Sequence, residues 1–179
     1  VALRIRRSGS DAKPKWLQTL KMGGSDDSAL SQRGEWEVPV PGAELALDAL
    51  AATPWAEIDP DGTVFSALAP RFVTSFRRTG WSVRRRDRSV VEVSLDVGQI
   101  EVDDKSTPIC ELELELTAGQ PAALFDIAQQ IAKTIAVLPA AMSKAERGYC
   151  LVEGTLNAPL RSRPPALTSD LPFSDAAPR

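Results

Sequence analysis

The stretch Cys110-Glu111-Leu112-Glu113-Leu114-Glu115-Leu116 sets a carboxylate at every second position. In an extended strand alternate residues share a face, so Glu111, Glu113 and Glu115 point one way and the three leucines the other. Neighbours on that face lie about 6.5–7 Å apart. In dry surroundings their mutual repulsion would raise their pKa values unless cations neutralised them. The acidic face is therefore wet, paired with basic groups or loaded with metal. Its ordinary version is the solvated side of an amphipathic antiparallel sheet whose leucines form the core.

Other segments repeat the pattern. Glu92, Ser94 and Asp96 share a side of residues 90–96, and Arg4 and Arg6 share a side of residues 2–7. Arg33, Glu35 and Glu37 stand together opposite Trp36 and Val38, Thr74, Phe76 and Arg78 share another side, and Lys21 closes residues 16–21. These faces carry both signs of charge. On an open sheet that is solvated decoration. Inside a closed barrel it has to be compensated by pairing, water, ligand or metal. A polyanion held by the bases, with divalent cations held by the acids, satisfies both sets at once, and phosphoryl transfer depends mainly on such positioning and charge neutralisation.

The chain has no histidine. That removes Ser-His and Cys-His nucleophilic catalysis and every His-ligated transition-metal site within it. Cys110 and Cys150 form no CxxC pair, so neither a zinc site nor a redox motif is indicated. What remains is the chemistry of carboxylates, lysine, arginine and hard cations such as Mg²⁺ or Mn²⁺.

The 179 residues suffice for one domain with its own core. Residues 1–154 read as that domain and 155–179, rich in Pro, Ser, Ala and Asp without periodicity, as a tail or linker. A net charge of −3 does not suggest a nucleic-acid binder. Six of the twelve residues from Arg77 to Arg88 are arginine, but Trp81 is the only aromatic among them, which is too few for a stacking platform. No membrane span or secretory signal is legible, so a cytoplasmic protein without a membrane partner is the expectation.

The elements that must position the charges follow from periodicity and punctuation. Strands are predicted over residues 2–7 and 16–21, joined as a hairpin by a Gly/Ser/Asp/Pro turn, and over 33–40 after a loop across 22–30. A short helix is predicted over 43–52, a turn at 59–62 and a further helical turn over 65–69. Strands are predicted over 72–86 and 90–96, then a short one at 99–102, a loop through Pro108 and the acidic strand itself. A helix opens at Pro121 and carries Leu124, Ile127, Ile131 and Ile135 at helical spacing as far as residue 137. Ser143 is a candidate N-cap, and 149–152 reads as a last strand.

In series, LRIR (residues 3–6), TLK (19–21), QRGEWE (32–37), FRR (76–78), VEVSLD (91–96), PICELELEL (108–116) and SKAERGY (143–149) resemble the CYTH, or triphosphate tunnel metalloenzyme, superfamily, and within it bacterial inorganic triphosphatases. The resemblance covers about residues 2–153, and PICELELEL with SKAERGY carries most of it. It implies an α+β protein whose eight antiparallel strands close into a tunnel flanked by helices. It further implies hydrolysis of inorganic triphosphate to diphosphate and phosphate with Mg²⁺ or Mn²⁺. Arg4, Arg6, Lys21, Arg78 and Lys144 would hold phosphates. Glu35, Asp96, Glu111, Glu113 and Glu115 would hold metal, with Glu113 and Glu115 foremost, while Glu92, Asp96 and Lys144 take the catalytic roles. Arg33 and Arg147 are weaker phosphate candidates, Arg147 having a surface acid as its alternative partner.

The sequence departs from the family at one point. The family opens with a strand bearing ExExK, and no ExExK occurs here. The mid-strand start leads to the expectation that a strand precedes residue 1. A barrel lacking that strand would present two open edges, which invite pairing with a second copy. The tail resembles a linker to an all-helical phosphate-binding domain. Thiamine triphosphatase, adenylate cyclase and a non-catalytic polyphosphate-binding module stay open as alternatives.

Overall fold

A computed structural model describes residues 1–22, 34–140 and 142–159. Six strands make two three-stranded antiparallel sheets. The first holds β1 (Ala2–Ser10), β2 (Lys13–Lys21) and β3 (Glu35–Val40), and the second β4 (Val73–Arg84), β5 (Val90–Val102) and β6 (Lys105–Ala118). Four helices complete an α+β architecture: α1 (Trp55–Ile58), α2 (Thr63–Ser66), α3 (Ala122–Ala132) and α4 (Lys144–Glu153). Where the resemblance implies eight strands in one closed tunnel, the described residues form these six in two sheets.

In the first sheet Leu3, Leu20 and Trp36 stand in register across three strands. They pack with Leu50, Trp55, Ile58 and Phe65 of the connecting segment. That segment is fastened to β2 by the buried Gln18 side chain, which accepts from the Ala46 N–H at 2.7 Å and donates to the Ala46 carbonyl at 2.9 Å. The opposite face carries Arg4, Arg6, Lys21, Glu35 and Glu37.

The second sheet is sided the same way. Val91 and Val93 of β5, with Leu112, Leu114 and Leu116 of β6, bury Ala123 and Ile127 of α3. On the other face Ile100, Val102 and Ile109 meet Leu151 of α4 at one end, and the rest is charged. Helix α4 can lie this close because Gly148 has no side chain: a Cβ there would sit 2.5 Å from the Phe72 ring.

Several expectations are corrected. The predicted strand at 99–102 is the end of β5, and β6 runs straight through Pro108, which an edge strand tolerates because its missing N–H need not serve the ladder. The predicted strand at 149–152 lies inside α4. Tyr149 and Val152 favour strands locally, yet a capping box nucleates a helix, with Ser143 N–H donating to Glu146 Oε2 at 2.6 Å and Glu146 N–H to Ser143 Oγ at 3.3 Å. The helix predicted over 43–52 shrinks to a 3₁₀ turn at Asp48–Leu50, and α3 ends at Ala132 instead of 137. Helix α1 has no counterpart among the predicted elements. The loop at 23–30, the candidate Arg33 and the tail beyond residue 159 lie outside the described residues.

Candidate active site

Strand register assembles the site. Arg78, Asp96 and Glu111 are direct partners across β4, β5 and β6, and Ser94 faces Glu113 two pairs along, on the same face. Lys144, in the first turn of α4, reaches the same spot from above the sheet. Its Nζ lies 2.8 Å from Asp96 Oδ2 and 2.7 Å from Glu113 Oε1, and it also pairs with Glu111 Oε1. Arg78 donates from Nε and Nη2 to the two Asp96 oxygens at 2.7 Å each, and from Nη2 to Glu113 Oε2 at 2.5 Å. Such a fork on a carboxylate is among the strongest side-chain contacts available.

Burial sharpens these interactions. The Asp96 side chain has no exposure and Lys144 retains 15 %, whereas Glu113 is half exposed. Desolvation would raise the Asp96 carboxyl, but the hydrogen bonds from Arg78 and Lys144 outweigh it and hold the pKa below its ordinary value. The same contest, won by Lys144 and Arg78, lowers Glu113. Burial pulls Lys144 down, yet its bonds to the three carboxylates hold it above the usual lysine value. Arg78 is raised because the Asp96 hydrogen bonds exceed the cost of its burial.

The first sheet offers a second charged face. Lys21 Nζ lies 2.9 Å from Glu35 Oε2, Arg4 reaches Glu35 and Glu37 at 3.6 and 3.5 Å, and Arg6 reaches Glu37 at 3.6 Å. Thr19 Oγ1 donates to Glu37 at 3.1 Å and accepts from Arg4 at 3.4 Å. Burial first, then the charge of Arg6, lowers the Arg4 guanidinium against the pull of Glu35 and Glu37, and Arg78 of the second sheet adds to the lowering. The two charged faces thus lie near enough to sense one another.

Asp96, Glu111 and Glu113 bring ligand oxygens within 4.8 Å of one another. An all-oxygen set of this kind suits a hard cation such as Mg²⁺ or Mn²⁺, and the Lys144 ammonium pairs with the same three groups. The structure does not bring every predicted ligand here. Glu35 belongs to the first sheet. Glu115 faces Glu92 across β5 and β6, and neither makes an ion pair or hydrogen bond among the described residues. Of the predicted phosphate holders, Arg78 and Lys144 are in the acidic cluster and Arg4, Arg6 and Lys21 on the other face. Arg147, the weaker candidate, lies 3.8 Å from Glu111 Oε2 and donates to the Pro108 carbonyl and, at 3.4 Å, to Thr107 Oγ1. The sequence placed Phe76 on the side of Arg78 without giving it a role. Its ring touches both site cations, and only the alternation Thr74-Phe76-Arg78 foreshadows that.

The family model for the CYTH domain matches residues 1–149. Over 153 residues the chain is 32 % identical to a protein of Haemophilus influenzae named inorganic triphosphatase, an alignment covering 84 % of this chain and 41 % of that relative. The chain thus spans less than half of the relative's length.

Proposed function

Because the chain belongs to the CYTH domain family, we propose that it hydrolyses inorganic triphosphate to diphosphate and phosphate, dependent on Mg²⁺ or Mn²⁺, with the two charged faces as facing walls of a tunnel. The observation that carries this reading is the convergence of Arg78 and Lys144 on Asp96, Glu111 and Glu113 at a spot where one carboxylate is wholly buried. Ion pairs of this density are poised for exchange. A triphosphate entering between the sheets gives Arg78, Lys144, Arg4, Arg6 and Lys21 phosphate oxygens in place of their carboxylates. The acids so released, Asp96, Glu111 and Glu113, are free to hold a divalent cation, with Glu115 and Glu35 as further ligands. When bound, the cation supplies charge neutralisation and polarisation of phosphoryl oxygens.

In the hydrolytic step a water oxygen forms a bond to the terminal phosphorus while the bond to the bridging oxygen breaks. Glu92, which has no partner of its own among the described residues, accepts the proton of the attacking water. Lys144 and Arg78 neutralise the charge that gathers on the departing diphosphate oxygen. Release of phosphate from tripolyphosphate, followed with and without Mg²⁺ or Mn²⁺, tests the reading. Tight tripolyphosphate binding without release would identify a binding module, and cyclic nucleotide formed from ATP would identify a cyclase.

A further inference from the structure

We infer that Phe76 is a positioning residue for the phosphate-holding cations, an inference that rests on the triphosphate reading of Arg78 and Lys144. The Phe76 ring has the Arg78 guanidinium carbon 5.7 Å from its centroid and the Lys144 ammonium 5.3 Å from it, both within range of a cation–π contact. The two cations come from different elements, β4 and α4, and this one aromatic ring joins them. Phe76 also packs against the cluster of Ile100, Val102, Ile109 and Leu151. It therefore stands at the boundary between the apolar end of this sheet face and its charged centre.

The neighbouring backbone is built around this side chain. The partner of Phe76 on β5 is Gly98, where a Cβ would lie 2.5 Å from Phe76 Cα, 2.6 Å from its Cβ and 2.0 Å from the Ser75 carbonyl oxygen. A residue without a side chain at position 98 is what admits β4, and the ring on it, at that distance.

The ring differs from the other partners of these cations in how it responds to ligand. Asp96, Glu111 and Glu113 compete with phosphate for Arg78 and Lys144, and a divalent cation competes with Arg78 and Lys144 for those acids. The face of a phenyl ring competes with neither. When the ion pairs exchange on substrate binding, the cation–π contacts persist and keep both cations aimed at the phosphate chain. Losing them lets two long side chains spread over many rotamers in the free protein, a cost that falls mainly on substrate binding, because once substrate is bound the phosphate oxygens themselves hold Arg78 and Lys144 for the chemical step.

Replacing Phe76 by leucine keeps an apolar side chain in the cluster and removes the ring quadrupole. Relative to wild type, F76L is expected to raise KM for tripolyphosphate about tenfold, the combined effect of two partly exposed cation–π contacts, with kcat changed less than about threefold. F76Y, which keeps the ring, should return KM to within about threefold. Incorporation of 3,4,5-trifluorophenylalanine at position 76, which preserves shape and weakens the quadrupole, should raise KM as F76L does and keeps the test open if F76L fails to fold. Wild-type KM in the trifluoro variant, or equal losses in F76L and F76Y, would overturn the inference and reduce Phe76 to packing. If wild-type protein neither cleaves nor binds tripolyphosphate, the triphosphate reading falls and takes this role with it.

Discussion

The Lys144 ammonium lies 2.8 Å from Asp96 Oδ2, in a pair whose carboxylate has no solvent exposure. It links the first turn of α4 to the central strand of the second sheet, so the helix dock and the charge site are one feature. Asp96 is also forked by Arg78, which makes it the carboxylate on which both cations depend.

Asp96→Asn therefore tests the cluster's contribution to the fold. Removing one partner of a buried pair typically costs about 3–5 kcal/mol. Here Arg78 is 41 % exposed and both cations keep Glu113, so a loss of about 2 kcal/mol is expected after discounting for solvent screening. Urea midpoints of the two proteins, compared at neutral pH, supply the number. An unchanged midpoint would mean that the pair orients without stabilising.

The direction of each pKa shift fixes how stability follows pH in metal-free protein. Asp96 and Glu113 are held below their unfolded values of about 3.9 and 4.3. Their contribution is full above that range and is lost as pH falls through the folded values. Lys144 is held above its unfolded value of about 10.4, so its contribution is full below that pH and is lost as pH rises through the folded value. Stability from this cluster should be level between about pH 5 and 10 and fall at both ends. Denaturant midpoints taken across pH should show the acid limb, and Asp96→Asn should make it shallower.

Glu113→Gln separates chemistry from folding. Glu113 is 48 % exposed, and pairs of that kind contribute at most about 1 kcal/mol, so melting should shift little. As a ligand candidate it should matter far more to turnover. Partners one shell out from a metal already cost about 10–100-fold when removed, so phosphate release should fall at least about 100-fold. Parallel losses of melting temperature and activity would assign Glu113 a structural part only.

How much of this was legible in sequence depends on whether the signal was local. Alternation alone put Glu111, Glu113 and Glu115 on one face and Glu92, Ser94 and Asp96 on another, and both faces are as read. It carries no information on register, which pairs Asp96 with Glu111 and leaves Glu92 opposite Glu115, so alternation alone does not tell which acids share one cluster. The strand expected over residues 149–152 rests on Tyr149 and Val152, which favour strands, in a stretch too short for helical periodicity to show. The Ser143–Glu146 box and the burial of Leu151 against Ile100 and Ile109 override that preference. Lys144 is legible as a site residue all the same, because it stands in the first turn of α4, ahead of residues 149–152.

Metal should act on stability as well as on turnover. A divalent cation that binds the folded acids and not the unfolded chain stabilises by mass action, about 2.7 kcal/mol at one hundred times its dissociation constant. A chelator should abolish phosphate release and lower the melting temperature, with Mg²⁺ or Mn²⁺ restoring both. The thermal shift should be lost in Glu113→Gln. A shift of the same size in that variant would place the ion away from Asp96, Glu111 and Glu113.

Arg147 makes the last case, since its contacts lie along β6, an edge strand among the described residues. Its guanidinium donates to the Pro108 carbonyl and to Thr107 Oγ1 while its other nitrogen lies 3.8 Å from Glu111 Oε2. Glu111 is thereby held between Arg147 on one oxygen and Lys144 on the other. Arg147→Met keeps the length of the stem and removes the fork, and hydrogen bonds to charged groups carry about 1.5–3 kcal/mol, so a loss near the lower end is expected because the Thr107 contact is long at 3.4 Å and the Glu111 pair, at 3.8 Å, lies beyond hydrogen-bond range. Arg147→Lys should not recover it, because a shorter stem ending in one nitrogen cannot stand where two guanidinium nitrogens now serve the Pro108 carbonyl and Glu111 Oε2. Thermal melts of the three proteins decide the matter. Full recovery by lysine would show that charge alone holds α4 at this edge.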